Sequence, residues 1–328
     1  NASEQNSEHK ALTALQEEIH WLQEESYVST ATKTLENIKK SGATMSVITA
    51  KDIKDMGART LMDALKRVPG LGITQSKIGA SSVEVRGVKT DFAEKVLFLM
   101  NGHPINNNLV NGGAQSSYDT FIVDNIKQVE VIRGTGSALY GTNAFLAVIN
   151  IITKTAEDIN GTVITVGAGS YKTDKLNILY GGKVGDVDVA ANLNILNTDG
   201  LKGDVESDAI GNSGQTDYDN QRYDLGFQLN FEHYSLNGNY IKRQAGGYLG
   251  ATNVLNDDSQ QEYIEYFLDF GYKRALTNQF TFSSSLYFDH FEFDNIWEVL
   301  PEGFDDGTMI YPDGLLLRSP IEHDKLGT

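Results

Sequence analysis

The sequence predicts a compact α+β domain followed by antiparallel strands of a transmembrane β-barrel. Between residues 35 and 155, short β-branched apolar runs alternate with a helical stretch and with turns that contain glycine. From residue 156 onward the pattern changes to long segments in which apolar and polar residues alternate. This period of two places the apolar side chains on one face of a strand. Residues 1–34 form a third, mainly polar region.

Residues 1–34 contain a short amphipathic stretch and then a segment without helical period. Leucine and isoleucine recur at helical spacing from Leu12 to Leu22. Between Glu24 and Lys33 this period is lost, and the small and β-branched residues there predict a poorly anchored strand. Composition alone favours a frayed terminus, so both interpretations stay open.

The region 35–155 has the features of a small α+β domain. A helical period between Thr49 and Val68 ends at Pro69 and Gly70, which are typical helix-stop residues. Five short apolar runs predict buried strands. They lie at Met45–Ile48, Val83–Val88, Val96–Met100, Val129–Ile132 and Val148–Ile152.

The region 156–328 is predicted to form barrel strands. Its alternating segments are longer than the five or six residues typical of soluble strands, which favours a membrane barrel over a soluble sandwich. The connections also alternate in length, as periplasmic turns and external loops do. Gly182–Asp186 and His233 are tight, whereas Thr198–Asn220 and Gln244–Gln260 are long.

Composition and motifs exclude several classes of protein. The formal net charge is -17, so a nucleic-acid partner is not expected, because phosphate binding needs clustered Lys and Arg. The chain has no cysteine and therefore no disulfide framework. It has no run of eighteen apolar residues, so no transmembrane helix is predicted. No catalytic signature is present, and neither an enzyme activity, a cofactor nor a resident metal is expected.

Four segments carry a specific resemblance to a known family. SVITAKDIKDMGARTLMDALKRVPGLGI at Ser46–Ile73 is similar to a family pattern of strand, helix and Pro-Gly turn. VEVRGV at Val83–Val88 and VLFLMNGHPIN at Val96–Asn106 resemble its two following strands. IKQVEVIRGTGSALYGTNAFLAVINIITK at Ile126–Lys154 resembles IERIEVIRGPxSALYGxxAxGGVINIITK. Together they resemble the plug domain of TonB-dependent receptors.

The resemblance implies a fold and a location. Such receptors have an α+β plug inside a 22-stranded barrel in the outer membrane of a Gram-negative bacterium. On this interpretation residues 1–34 are periplasmic, residues 35–155 form the plug, and residues 156–328 begin the barrel. We count about seven barrel strands up to Phe291. We therefore expect a fragment, an incompletely traced chain or one half of a nicked receptor.

The resemblance also implies a partner for the N-terminal segment. In the family, a short extended stretch before the plug, the TonB box, pairs as a strand with the periplasmic protein TonB, which an inner-membrane complex energises. Strand addition depends on backbone more than on side chains, so a degenerate sequence is acceptable. The candidate coupling residues are Glu24, Glu25, Ser26, Tyr27, Val28, Ser29 and Thr30.

Three plug loops are implied to face outward and to contact a small-molecule substrate. They lie around Gln75–Ser81, Lys89–Glu94 and Asn107–Tyr118. Their amides suit hydrogen bonding to a neutral or anionic chelate, although for any single residue solvation or local pairing is the simpler interpretation. The candidate substrate-binding residues are Lys77, Lys89, Asp91, Asn107, Asn108, Gln115 and Tyr118.

Two arginines are candidates for holding the plug. Arg86 and Arg133 each follow a buried strand and precede a glycine, and an arginine in such a place needs a carboxylate or carbonyl partner. Local pairing with Glu84 or Glu130 is one interpretation. The resemblance implies instead that both arginines face the barrel wall.

His103 and one acidic loop are weak candidates for metal binding. His103 has no second histidine nearby in sequence, which predicts a structural or solvated histidine rather than a ligand of haem or metal. Asp204, Asp208, Asp217 and Asp219 could offer oxygens to calcium. Their spacing is irregular, so a solvated acidic loop is predicted.

The function implied by the resemblance is TonB-dependent active uptake of a scarce nutrient across the outer membrane. A ferric siderophore or another metal chelate is the usual cargo, with haem, cobalamin and saccharides as alternatives. A passive channel or adhesin is a further alternative, but it would need neither plug nor coupling segment. Outer-membrane lipid surrounds the barrel, and reception of a colicin or phage would be an incidental use of the outer loops.

Overall fold

Two sheets of different size and composition organise the chain. They were identified in a computed structural model. The structure describes residues 27, 28, 30, 36, 37, 44–90, 92–107, 112–114, 120–134, 136–255, 258–277 and 279–328.

The first sheet belongs to the α+β domain. Its five strands are ordered β3-β8-β9-β6-β7, and β9 and β6 are its parallel pair. Two further pairs, β1 with β2 and β4 with β5, stand beside it. The elements are β1 (Tyr27–Val28), β2 (Glu36–Asn37), β3 (Met45–Thr49), α1 (Ala50–Asp55), α2 (Leu61–Leu65), β4 (Leu71–Gln75), β5 (Ser81–Val85), β6 (Val96–Met100), β7 (His103–Pro104), β8 (Ile126–Arg133), α3 (Ser137–Tyr140) and β9 (Ala147–Thr153).

The single helical stretch predicted from the sequence is two short helices. Each begins at a capping box, formed by Thr49 with Asp52 for α1 and by Thr60 with Asp63 for α2. Between them Gly57 adopts a φ of +64°, a left-handed conformation that ends a helix and favours glycine. The second capping box, at Thr60, then begins α2 as a separate helix.

The larger apolar cluster of the domain lies on one face of the five-stranded sheet, and a smaller cluster that includes Ile132 and Val148 lies on the other. Leu61 and Leu65 of α2 pack in the larger cluster against Phe98 of β6, and all three are at most 1% exposed. The strands contribute Val129, Val131, Ile149 and Ile151 to the same core. The five apolar runs that predicted buried strands are therefore confirmed as strands, although β5 ends at Val85 rather than Val88.

The second sheet is antiparallel and has eight strands, one more than the sequence count up to Phe291. The additional strand, β21, contains Pro320 and several charged residues and lacks the clear alternation of the others. No helix in the described part of the chain is long and apolar enough to cross a membrane. The remaining elements are α4 (Ala156–Ile159), β10 (Gly161–Gly169), β11 (Thr173–Val184), β12 (Val187–Thr198), β13 (Asp204–Val205), β14 (Gly214–Gln215), β15 (Asn220–Phe231), β16 (Tyr234–Gly246), β17 (Gln260–Ala275), β18 (Thr281–Leu300), β19 (Phe304–Asp305), β20 (Ile310–Tyr311) and β21 (Leu315–Gly327).

The register aligns apolar side chains in rows across the outer face of this sheet. One row runs over five successive strands through Val189, Leu229, Leu236, Phe270 and Leu286. Phe270 and Leu286 are 47% and 49% exposed, so no other part of the described chain covers them. Exposed apolar rows of this kind are the lipid-facing surface of a transmembrane barrel.

The opposite face of the sheet is polar and buried. A row on this face runs through Asn177, Asn194 and Asp224, and each of these residues is at most 1% exposed. The sheet therefore buries polar side chains and exposes apolar ones, which is the reverse of a soluble sandwich.

The connections between strands differ in length at the two ends of the sheet. At one end they are short, and at the other end all but the first are long. This asymmetry is the one predicted from the sequence. The short end has residues 185–186, 232–233 and 276–280, and the other end has residues 170–172, 199–219, 247–259 and 301–314.

A charge on the outer face tests its contact with lipid. Leu268 lies midway along the outward residues of β17, and we expect Leu268→Lys to destabilise the complete protein in lipid vesicles by ~2–4 kcal/mol, because the ammonium would enter hydrocarbon. Equilibrium unfolding measures the change. Asn237→Lys, on the polar face of neighbouring β16, is the control and should be close to neutral. Equal destabilisation by both variants would contradict the assignment of faces.

Candidate functional site: the plug and its contacts with the barrel wall

The α+β domain packs against the polar face of the eight-stranded sheet through polar side chains. Lys175 of β11 contacts the carboxylate of Asp124, and Gln228 of β15 contacts the hydroxyl of Thr153. Gln261 of β17 donates a hydrogen bond of 2.9 Å to the carbonyl of residue 78. These contacts join the two units by hydrogen bonds and ion pairs.

His103 of β7 is held between two aspartates of the barrel wall. Its Nε2 lies 2.8 Å from an oxygen of Asp289, and its Nδ1 lies 3.2 Å from an oxygen of Asp269. The ring stacks on Phe267 with 4.2 Å between centroids. Burial by itself lowers the pKa of His103, but the two carboxylates outweigh it, so the net pKa is raised above 6.5.

The position of His103 decides between the two interpretations of its role. The residue is 4% exposed and paired with two carboxylates, so of the predicted structural or solvated histidine the structural form is the one observed. Its carboxylate partners lie 166 or more positions further along the chain, which explains why local sequence gave no sign of them. Within the described residues no group of three or more His, Asp or Glu side chains could hold a metal ion.

Arg222 is a second contact that sequence reasoning missed. It is fully buried on the inner face of β15 and forms hydrogen bonds of 2.8–3.1 Å with both carboxylate oxygens of Asp224. Its Nη1 lies 3.2 Å from the hydroxyl of Thr120 in the α+β domain, and its guanidinium lies 5.5 Å from the ring centroid of Phe121. The available signal was an arginine and an aspartate at i and i+2, which lie on one face of a strand.

The first predicted substrate loop is attached to a long connection of the barrel. The ammonium of Lys77 donates to the carbonyl of Ala251, and the Leu249 N–H donates to the carbonyl of Lys77 at 3.0 Å. The described contacts of Lys77 are thus with the barrel, and a substrate contact by this residue stays a prediction.

The other two predicted loops are described only in part. Lys89 is exposed. The N–H of Asn107 donates to the carbonyl of Gly113 at 2.9 Å. The side chain of Asn106, which sequence reasoning did not single out, fixes the base of the loop by accepting from the Phe98 N–H at 2.7 Å. Asp91, Asn108, Gln115 and Tyr118 lie outside the described residues, and their roles stay predictions.

The described contacts of Arg133 lie inside the α+β domain. Its Nη1 donates to the carbonyl of Pro69 at 2.5 Å and its Nη2 to the hydroxyl of Ser46 at 3.0 Å. These partners are a carbonyl and a hydroxyl rather than Glu130, which the local interpretation expected. Arg86 is exposed, with a φ of +52°. A contact of either arginine with the barrel wall stays a prediction.

The candidate coupling segment reaches the interior of the α+β domain at Thr30. The Thr30 N–H donates to a carboxylate oxygen of Glu130 at 2.8 Å, and its hydroxyl donates to the same oxygen. Asn150 donates to the Thr30 hydroxyl at 3.0 Å, and Tyr140 donates to the Thr30 carbonyl at 2.8 Å. Burial and the nearby Glu130 charge raise the pKa of Tyr140 to about 12, so the phenol remains a donor.

This arrangement corrects one sequence expectation. The segment was expected to be poorly anchored, but Thr30 is 1% exposed and Val28 is fully buried. The physical reason is that a buried carboxylate in the sheet requires donors, and Thr30 supplies two. Glu24, Glu25, Ser26 and Ser29 lie outside the described residues, and the side chain of Tyr27 does too.

The acidic loop contains local hydrogen bonds to its own backbone. Asp208 accepts hydrogen bonds of 2.8–3.1 Å from three backbone N–H groups and so organises its own turn. Burial, together with the nearby carboxylate of Asp217, raises the pKa of Asp219 to about 6. Asp208 nevertheless stays open to solvent, as predicted for a solvated loop, whereas Asp219 is partly buried beside Asp217.

Comparisons with known proteins agree with this architecture. The family model described as TonB-dependent Receptor Plug Domain matches residues 37–148. The vitamin B12 transporter BtuB of Vibrio vulnificus (strain CMCP6) is 31% identical over 252 residues, which cover 76% of this chain and 38% of that protein. BtuB of Vibrio cholerae (strain ATCC 39541) is 32% identical over 165 residues, or 50% of this chain and 26% of that protein. The chain thus spans less than half the length of these relatives.

Solved structures show the same fold at low sequence identity. The ferric-catecholate import receptor Fiu from E. coli K12 has a TM-score of 0.61 at 18% identity, covering 89% of this chain and 46% of Fiu. The siderophore receptor PirA from Acinetobacter baumannii has a TM-score of 0.58 at 20% identity, covering 86% of this chain and 44% of PirA.

A plug that packs on the polar face of an antiparallel sheet with an apolar outer face defines a plugged transmembrane β-barrel. The plug-domain match and the BtuB relatives then identify the family: the chain belongs to the TonB-dependent receptors. The α+β domain is the plug, and the eight-stranded sheet is part of the barrel wall. The family consists of receptors and transporters rather than enzymes.

The histidine contact makes plug docking dependent on pH. Because the folded pKa of His103 lies above its ordinary value of 6.5, its stabilising contribution is full below that value and is lost as the pH rises through the folded pKa. Lys325 also faces this pair, 3.3 Å from Asp289. We expect hydrogen exchange in residues 96–107 to become faster as the pH rises above 6.5 and through the higher folded pKa of His103, after correction for intrinsic rates.

The control for this prediction is His103→Gln. Glutamine can donate a hydrogen bond but does not titrate, so the corrected exchange should lose its pH dependence. An unchanged pH dependence in the variant would show that another group is responsible.

Proposed function

We propose that this chain is part of an energy-coupled importer of the outer membrane, in which the plug rearranges to admit a cargo. The observation that carries the proposal is the polar interface between plug and wall. Among the described residues, only Ile241 and Phe267 of the barrel join the apolar core of the plug. Hydrogen bonds exchanged for water cost little net free energy, so the plug can rearrange against the wall.

Buried amides at this interface support the same proposal. A narrow cavity between plug and wall is lined by asparagines that include Asn125, Asn192 and Asn239. Each has a buried amide atom without a protein partner in the described part of the chain. Such groups bind water when buried, and a hydrated interface lowers the barrier to rearrangement.

We infer that the energy comes from TonB. The outer membrane has no ATP, so work must arrive through a partner that reaches from the inner membrane. Residues 24–30 are the proposed point of attachment. Tyr27–Val28 already pairs as a strand with Glu36–Asn37, which supports recognition by strand addition.

For the cargo we propose a metal chelate, with two candidates. A ferric siderophore is the usual cargo implied by the family resemblance, and it suits the amide-rich plug loop. Cobalamin is favoured by a separate observation, since the relative that is 31% identical over 76% of this chain is a vitamin B12 transporter. Haem and saccharides have no comparable support here.

Deleting residues 24–30 tests the coupling. We expect uptake to fall to background while cargo affinity at the outer surface changes by less than about twofold, because the segment supplies force and not cargo contacts. Uptake of labelled cargo by whole cells and binding to isolated outer membranes measure the two quantities. Deletion of residues 1–7, which has the same length, is the control. Undiminished uptake after deletion of 24–30 would rule out this coupling role.

Direct binding tests the cargo. Calorimetry on the complete protein in detergent should show saturable binding of either cyanocobalamin or a ferric catecholate chelate. Metal-free catecholate is the matched control and should bind more weakly, because the metal fixes the ligand in one compact shape and lowers the entropic cost of binding. Binding of neither compound, with clear binding of haem or an oligosaccharide, would contradict both proposed cargoes.

A further inference from the structure

The buried carboxylate of Glu130 is a source of instability inside the plug. It lies in β8, between β3 and β9, and its neighbours Val129 and Val131 point into the apolar core. Glu130 points to the opposite face and is 1% exposed. An ionised carboxylate is strongly destabilising in such a place unless donors surround it.

Some of the hydrogen-bond donors to Glu130 come from a residue that precedes the plug-domain match at residues 37–148. One Glu130 oxygen accepts from Gln128 at 2.7 Å, and the other accepts from both the N–H and the hydroxyl of Thr30. Thr30 lies 100 positions earlier in the chain. The interior strand β8 thus depends on a residue of the candidate coupling segment.

The N–H, the hydroxyl and the carbonyl of Thr30 each form a hydrogen bond in this site. Asn150 binds the hydroxyl oxygen and Tyr140 binds the carbonyl, which leaves the N–H and O–H for Glu130. Asn150 and Tyr140 also line a polar cleft between plug and wall, beside Ser235 of the barrel. A vacated site would therefore open beside a polar passage, on the face opposite the larger apolar cluster.

We propose that Glu130, Asn150 and Tyr140 form a receptor site for Thr30, and that withdrawal of Thr30 from this site is the step that loosens the plug. The inference rests on the proposed function, in which a pull acts on residues 24–30. Withdrawal leaves the Glu130 carboxylate short of two donors inside β8. Because β8 is an interior strand that pairs with both β3 and β9, the loss weakens two strand pairings at once.

The test compares one substitution in two backgrounds. Hydrogen exchange of residues 126–133 and 147–153 is measured in the complete protein in detergent, with and without residues 1–30. We expect truncation to accelerate exchange about tenfold or more, since a buried charge loses its donors. Glu130→Met should accelerate exchange when Thr30 is present and slow it when Thr30 is absent, because methionine leaves no charge to satisfy.

This reversal of sign is the decisive result. The same effect of Glu130→Met in both backgrounds, or unchanged exchange after truncation, would overturn the proposal. If the methionine variant fails to fold, Glu130→Gln replaces it, because glutamine keeps the shape and removes the charge. It should also accelerate exchange when Thr30 is present and slow it when Thr30 is absent. Thr74→Val is the matched control, because the buried Thr74 hydroxyl has no partner in the described structure. In this variant the exchange of residues 126–133 and 147–153 should stay as in the unsubstituted protein.

The measurement needs neither TonB nor cargo. A sign reversal together with undiminished uptake after deletion of 24–30 would overturn the proposed function and leave the receptor site standing. Loss of uptake without the sign reversal would overturn the receptor site and leave the proposed function standing. The two proposals are therefore separable.

Discussion

The inverted polarity of the eight-stranded sheet is the constraint on which the rest of the structure depends. Backbone groups in hydrocarbon must be paired within the protein, and the strands achieve this while turning rows such as Leu236 and Phe270 outward. Alternation then forces the residues between them inward, where Asn194 and Asp224 are buried. A domain that fills this wall has to present polar groups, and the plug does so at His103 and Asp124.

A polar interface supplies specificity as well as adhesion. The Arg222–Asp224 pair is fully buried, and a buried pair adds little net stability compared with apolar packing but is costly to break on one side. Its contact with Thr120 therefore fixes where the plug sits without binding it through a large apolar surface. The same holds for His103, whose docking depends on its charge and hence on proton concentration.

The elements that sequence alone predicted are those with a local signal. Period-two alternation identified the strands around Val189 and Phe270, and β-branched runs identified the plug strands, because both patterns arise within a few residues. The break at Gly57 and the irregular strand that contains Pro320 were missed, since one turn and one edge carry weak local signals. The partners of His103 were beyond sequence reasoning because they are distant in the chain and only the fold joins them.

Glu130 shows how such a distant contact leaves a trace in the sequence without revealing its partner. A glutamate stands between Val129 and Val131, and only the fold shows that its side chain is buried and needs donors. Nothing local identifies Thr30. A fully apolar strand would make the plug more stable and unresponsive, whereas a carboxylate satisfied from the N-terminal segment makes the stability of the sheet conditional on that segment. Conditional stability at the centre of the plug lets a pull at one end of the chain act on the whole domain.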